Sequence, residues 1–402
     1  MPTTVSAVKY IKVAPAQVYS AFTRSLNLRE WLCDFATVAL HPGGRIYLWW
    51  HGDFYSSGEY ISLEENKSVV FTWFSRSDPG PSQVKVTVEP LNDGTRVTLD
   101  HVIPDWKNWK GTPEGFRKEW ADSLENLASV LETGVDKRTF DRPMLGINVG
   151  DFTPAIARRM GVPVSEGMRL DGVVETMGAY QAGLRKDDVL VSLGGKPLTA
   201  DFSTLVTALQ GRKGGEHVEV VFYRRKEKKT VQMELTKRPI PDFSWNPAEL
   251  AKAVRKKYDE SLAKLEECFT GVSEKEADYH PAPGEWNSKE ILAHLIDNER
   301  NLVTTIDDYI GGYERVADDF GGNITVHMQA IVTSYGTARG LLDELKRMSD
   351  EVVALAGALP PEFAARKSTY FQAANLLMNG SQAHIQSHSS QIEAAIAAAR
   401  KK

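Results

Sequence analysis

The segment "AHIQSHSSQI" sets His384 and His388 four residues apart in a chain that holds only nine histidines. On a helix that spacing puts both on one face, in line with Ile392 and Ile396, so both imidazoles are expected to point toward a core. A buried imidazole needs a hydrogen-bond partner or a metal, and two stacked imidazoles satisfy one another poorly. Two of them can instead converge on one cation at metal–nitrogen distances of about 2.0–2.1 Å. A third ligand from a facing helix would complete a facial set and leave positions open for water or substrate. His294, in "EWNSKEILAHLIDNER", is the natural third. Asn287 and Glu290 read there as a capping box and Trp286 as a staple onto Ile291, a phase that sets His294 beside Ile291, Leu295 and Leu302. The other reading is a set of surface or hydrogen-bonded core histidines, and spacing alone leaves both open. Asp297, one turn beyond His294, could orient that imidazole or be a solvated helix charge.

The elements that must carry these residues are helical. Beyond the linker "PIPDFSWNP" strand signals vanish, and Asn246-Pro247 starts a helix that runs to about Cys268. A second helix follows Trp286, a third covers about Ile324 to Met348, and a fourth runs from about Tyr370 to Ala399. Residues 244–402 thus read as an up-and-down four-helix bundle.

The rest of the chain has other periodicities. Residues 1–135 are rich in β-branched and aromatic runs and hold seven of the nine tryptophans. "LNDGT" there is a hairpin turn, with Asp-Gly supplying the positive φ. The segment closes on a helix capped by Thr112, with Pro113 in its first turn and an apolar stripe of Phe116, Trp120, Leu124, Leu127 and Leu131. Residues 141–240 alternate short strands and short helices and end on a hairpin across "KEKK", a basic run that reads as a solvated turn.

Composition sets the outer bounds. With 402 residues, 42% hydrophobic and 25% charged, the chain is long enough for two or three globular domains. A net charge of -5 gives no reason to expect a nucleic-acid partner. No apolar run approaches the roughly 20 residues that span a bilayer, and the N-terminal stretch has no signal-peptide pattern, so no membrane partner is expected. Two cysteines far apart, Cys33 and Cys268, make no disulfide framework, and a cytoplasmic location is expected.

Three resemblances follow from these motifs. Residues from about 245 to 400, on "GEWNSKEILAHLIDNERN" and "AHIQSHSSQI", resemble the DinB-like (YfiT-like) four-helix bundles. Members of that family bind a divalent metal through one histidine of the second helix and an H-x-x-x-H pair of the last. The matching positions are His294, His384 and His388, with zinc or nickel the implied ions. Relatives that transfer low-molecular-weight thiols imply S-transfer, with hydrolysis behind it. "QAGLRKDDVLVSLGGKPL" and its surroundings resemble a bacterial PDZ domain of the HtrA type. That resemblance implies a clamp for a partner's C-terminal peptide, with Met144, Leu145, Gly146 and Ile147 receiving the carboxylate. "IKVAPAQVYSAFTRSLNLREWL", "HPGGRIYLWWHGDFYSSGEYISL" and "EGFRKEWADSLENL" resemble the START-like (SRPBCC) superfamily, in the branch of the heat-shock chaperone ATPase activators. This implies a helix-grip fold with an apolar ligand pocket, for which Trp49, Trp50, Trp73 and Trp120 are the candidate walls.

The expected architecture is therefore multidomain: an α+β START-like domain, a mainly β PDZ domain and an all-α four-helix bundle. Two functions fit it. One is a metal-dependent enzyme acting on a small molecule or thiol. The other is a non-catalytic adaptor or sensor in which the metal is structural. No catalytic residue is assigned, and Cys268, His280 and His327 are given no role.

Overall fold

The computed structural model describes residues 2–52, 54–313 and 324–401. Met1–Val135 together with Pro241–Lys402 form one compact unit, and Asp136–Ile240 form another.

The first region is an antiparallel sheet in the order β1-β7-β6-β5-β4-β3-β2, built from β1 (Thr3–Ile11), β2 (Phe35–Val38), β3 (Arg45–Trp50), β4 (Phe54–Glu64), β5 (Ser68–Ser75), β6 (Ser82–Leu91) and β7 (Gly94–Ile103). Helices α1 (Pro15–Thr23) and α2 (Ser25–Trp31) join β1 to β2, and α3 (Pro113–Thr133) follows the sheet. The alternation of strand side chains decides which face is buried: Thr95, Val97, Leu99, His101 and Ile103 of β7 all turn inward. The start of α3 is as its residues require, with Thr112 Oγ1 accepting from Gly115 N at 3.1 Å and Pro113 in the first turn. Its buried residues include Trp120, Leu124 and Leu127. Asn126 Nδ2 donates to the Trp31 carbonyl at 2.7 Å, and Trp31 Nε1 donates to the Ala21 carbonyl at 2.9 Å, which ties α3, α2 and α1 together.

One turn differs from expectation. In "LNDGT" the positive φ falls on Asn92 (38°), and Gly94 is already the first residue of β7. Glycine is needed there for space, because a Cβ would lie 2.5 Å from the Ile11 carbonyl oxygen.

The second unit carries α4 (Lys137–Phe140), β8 (Ile147–Gly150), α5 (Pro154–Met160), β9 (Met168–Val173), α6 (Gly178–Gln181), β10 (Val189–Leu193), β11 (Lys196–Pro197), α7 (Phe202–Leu209), β12 (His217–Arg224) and β13 (Glu227–Glu234). The sheet runs β13-β12-β10-β9-β8, with β11 paired to β10. Gly194 (φ 56°) and Gly195 (φ 79°) make the tight β10–β11 turn. The last hairpin turns at Arg225 (φ 57°) and Lys226, earlier than the expected "KEKK", whose remaining residues lie in β13.

The C-terminal region is all helical among its described residues: α8 (Pro247–Cys268), α9 (Glu274–Ala277), α10 (Ser288–Gly311), α11 (Ile324–Tyr335), α12 (Ala338–Gly357), α13 (Pro361–Ala364), α14 (Lys367–Asn379) and α15 (Ser381–Ala399). The long third helix expected from the sequence is broken at Gly336 (φ 70°), where Thr337 caps α12 by accepting from Gly340 N at 3.0 Å. The fourth is also two helices, divided at Gly380. Leu250, Val254, Tyr258, Ile296, Leu345 and Ile392 belong to one core that all the long helices share. Among the described residues no helix is long and apolar enough to cross a membrane.

Candidate metal centre

His294 stands on the second turn of α10, a helix fixed at its start by a reciprocal cap. Asn287 Oδ1 accepts from Glu290 N at 2.9 Å, and Glu290 Oε2 accepts from Asn287 N at 2.9 Å. Trp286 lies with its ring centroid 5.1 Å from that of His294. On α15 the four-residue step stacks His384 and His388. The three Nε2 atoms converge: His384 Nε2 is 3.1 Å from that of His294 and 2.9 Å from that of His388. Nitrogens bound to one cation at about 2.0–2.1 Å must lie about 2.8–3.0 Å apart at a right angle and about 3.3–3.4 Å apart in a tetrahedron. The observed spacings match that range, so the set could hold a metal.

The protonation states fit a donor set. His388 Nδ1 is 2.8 Å from Gln391 Oε1, so Nδ1 carries the proton and Nε2 presents its lone pair to the cluster. Burial, and then the charges of the neighbouring imidazoles, push the His384 pKa down to about 4. His294 is also lowered, chiefly by burial. Neutral imidazole is the ligating form. All three side chains are half-buried, so the expectation that the pair points into the core is corrected. The buried stripe of α15 runs through Ile385, Ile392 and Ile396, and His384 and His388 flank it.

A second concave site lies in the first region. It is a cavity of about 400 Å³ walled by Trp50, Trp73 and Trp120, with His101 among its lining residues. Trp49 is not a wall. Neighbouring residues of β3 point to opposite faces, and Trp49 instead sets its ring 4.9 Å from that of His51.

Comparison with known families gives three matches. Residues 12–132 match the Activator of Hsp90 ATPase homolog 1-like protein family, residues 143–235 the PDZ domain, and residues 257–388 the DinB superfamily. The chain is a three-domain fusion. Solved structures similar to it include the Aha1 dimer from Colwellia psychrerythraea (22% identity, TM-score 0.28, 32% of this chain and 96% of that one). Others are an HSP90 activator from Plasmodium falciparum (26%, 0.28, 33% and 96%) and CalU16 from Micromonospora echinospora (20%, 0.27, 31% and 72%). A comparison with curated proteins found no match.

Within the DinB domain, Asp297 does not orient His294. Its carboxylate lies 3.5 Å from His327 Nδ1 and accepts from Asn301 Nδ2 at 3.4 Å, while His294 Nδ1 is buried without a partner. His280 sits 3.1 Å from the Glu290 carboxylate, at the cap. Burial, and then Glu393, push the Cys268 thiol up to about 11, so it stays protonated at neutral pH.

In the PDZ domain, Met144 pairs with Thr236 through two hydrogen bonds of 2.9 Å. The Leu145 carbonyl accepts from Ala179 N at 3.0 Å and the Gly146 carbonyl from Val174 N at 2.9 Å. Gly146 has φ 77° and leads into β8, an edge strand of the sheet. Val149 on that strand, and Phe202 and Val206 on α7, are exposed apolar side chains, the last two 58% and 57% exposed.

In the Hsp90-activator-like domain, His101 was missed by sequence reading. Trp120 Nε1 donates to His101 Nδ1 at 3.1 Å, which leaves the ring proton on Nε2 to bond Ser82 Oγ at 2.7 Å, and Ser82 Oγ donates to the Trp73 carbonyl at 3.0 Å. Burial lowers the His101 pKa to about 4. The signal for it was available: β7 buries every second residue, and a histidine falls on that apolar phase.

Proposed function

We propose that this protein is a metal-dependent transferase acting on small molecules, with one divalent cation, zinc or nickel, held by His294, His384 and His388 of its DinB domain. The observation that carries this reading is the convergence of three Nε2 atoms at 2.9 and 3.1 Å. A cation bound by three neutral imidazoles keeps its full charge and would supply a bound thiol as thiolate, or a bound water with a pKa of about 7, so thiol S-transfer is the reaction class and hydrolysis its neighbour. His388 is held in register by Gln391, and half-burial of the triad leaves one side for substrate. The reacting thiol is a substrate and not a side chain, since Cys33 is buried and Cys268 is protonated. The cavity of the Hsp90-activator-like domain serves in this reading as a pocket for a small ligand.

Metal content tests the proposal. Protein purified without chelator, and without a tag that loads metal, is analysed for elements beside His384→Ala. The expected result is about one ion per wild-type chain and loss in the variant. A wild type that stays metal-free after incubation with zinc and nickel overturns it.

A second reading, an adaptor with a structural metal, is favoured by the edge position of β8 directly after Gly146. An extended C-terminal peptide would add there as a further strand, its carboxylate received by the Met144–Ile147 backbone. A library of C-terminal peptides that yields a sequence preference supports it, and a library without binders removes it.

A further inference from the structure

We propose that the cavity of the Hsp90-activator-like domain takes an organic cation, a small molecule carrying a quaternary ammonium group. This rests on reading that cavity as a ligand pocket, and it names the ligand class. The walls are five aromatic rings: Trp50, Phe54, Trp73, Phe116 and Trp120. They are set at angles to one another. Trp73 and Trp120 meet edge-to-face at 5.5 Å, and Trp50 is tilted at 6.0 Å from Trp73 and 5.2 Å from Phe54. Rings at such angles make a box with several π surfaces, which attract a cation placed within about 6 Å of a ring centre.

The hydrogen-bond accounts of the box point the same way. Each indole N–H is already spent inside the protein: Trp50 on the Leu32 carbonyl at 2.6 Å, Trp73 on Ser75 Oγ at 3.0 Å, and Trp120 on His101 Nδ1 at 3.1 Å. Both nitrogens of His101 are occupied as well, by Trp120 and Ser82. The aromatic walls and His101 therefore offer no donor to the acceptor oxygens of an anion or a sugar; the donors in the lining are the hydroxyls of Ser75, Ser77 and Ser123 and the exposed ammonium of Lys110. Burial keeps His101 neutral, so no positive charge sits at its place in the lining.

Charge makes the third argument. The lining includes the carboxylates of Asp78 and Glu119 against the single ammonium of Lys110. Asp78 is half-buried, and that burial raises its pKa despite the bond its carboxylate accepts from Ser75 N at 2.7 Å, so a cation beside it would favour its charged form. A neutral apolar ligand would satisfy the rings and leave that carboxylate more deeply desolvated. A quaternary ammonium has no N–H to satisfy, carries the required charge, and presents methyl groups to the rings.

Choline and 3,3-dimethylbutan-1-ol share one shape and differ in one charge. Both are titrated into the full chain by calorimetry, with tryptophan fluorescence as a second readout. Choline is expected to bind about tenfold more tightly than the alcohol. That preference is expected to shrink severalfold in the Asp78→Asn/Glu119→Gln double variant, whose substitutions keep the size and one acceptor oxygen of each side chain while removing its charge. An alcohol that binds as well as choline overturns the cation assignment and leaves the ligand pocket standing. Absence of binding by either at millimolar concentration removes the pocket reading with it. A choline preference untouched by the double variant also overturns the proposal, since the charge would then be read elsewhere.

Discussion

Glu30 and Ser368 lie 338 residues apart in the chain, yet Ser368 Oγ donates a 2.6 Å hydrogen bond to the Glu30 carboxylate. Thr369 Oγ1 donates to the other oxygen at 3.1 Å, and all three side chains are buried. Glu30 belongs to α2 of the Hsp90-activator-like domain, Ser368 and Thr369 to α14 of the DinB domain, so the two domains share a desolvated carboxylate. The two hydroxyls and the charge of Arg366 favour ionisation, but burial outweighs them and holds the pKa up at about 7.

A raised carboxylate pKa makes the folded state bind more protons than the unfolded one. Its stabilising effect is full at low pH and is lost as pH rises from the ordinary 4.5 to about 7. Glu30→Gln is expected to flatten that fall by up to about 3 kcal/mol, read from urea unfolding at a series of pH values. Glu299, buried in the bundle and also raised to about 7 by burial, keeps part of the slope in the variant. An unchanged slope would show that the Glu30 contact does not exist in solution.

His101 acts with the opposite sign. Its folded pKa is depressed to about 4, so its contribution is full above the ordinary 6.5 and is lost as pH falls toward 4. The expected observation is an NMR signal of the His101 ring that stays constant from pH 8 to about 5 and moves only below. A midpoint near the ordinary value would mean that the ring reaches water and that the chain from Trp120 to Ser82 is open. Because Glu30 and His101 oppose each other over a shared range, the wild-type pH profile conceals both, and single-variant differences separate them.

What could be read in advance was whatever rests on local periodicity. The cap at Asn287, the helix from Pro113 and the pairing of His384 with His388 follow from spacings of three and four residues along helices, whereas the meeting of His294 with that pair, on another helix, was implied by the resemblance to DinB-like bundles. The break at Gly336 was also local, since Gly336-Thr337 is a stop followed by a cap, but continuous apolar spacing on both sides masked it. Trp49 and Trp50 show the converse: the two-residue period of a strand forbids both from facing one cavity, and the aromatic run concealed that rule. The Glu30–Ser368 contact was not legible in principle. No periodicity relates residues that far apart, and a glutamate on a short helix gives no sign that it will be buried.

Gly146 is where backbone conformation and the peptide loop meet. Its φ of 77° is costly for any residue with a Cβ, and the Cβ of an alanine would lie 2.3 Å from the Met177 Cβ. Gly146→Ala is therefore expected to cost about 1–3 kcal/mol of stability in the PDZ domain. Any C-terminal peptide found for the wild type should bind at least about tenfold more weakly, because the loop backbone must shift before a carboxylate can enter. Thermal unfolding and peptide titration on the same variant read the two effects. Unchanged affinity beside lowered stability would move the carboxylate site off this loop.

The cap at Asn287 separates support from ligation. Its side chain takes up the Glu290 N–H, an orphan of the first turn of α10, and returns are made through Glu290 to its own N–H. Asn287→Ala removes half of that exchange and is expected to cost about 1 kcal/mol of stability. His294, seven residues on, keeps its helix because the core holds it through Ile291, Leu295 and Ile296. Metal content should therefore stay at the wild-type level while the unfolding midpoint falls. His294→Ala should do the reverse, losing metal at little cost to the metal-free fold, since that imidazole is half-buried and its Nδ1 has no partner to lose. Elemental analysis and denaturant unfolding of the two variants side by side distinguish the cases, and metal loss in Asn287→Ala would mean that the triad depends on the cap as much as on its own ligands.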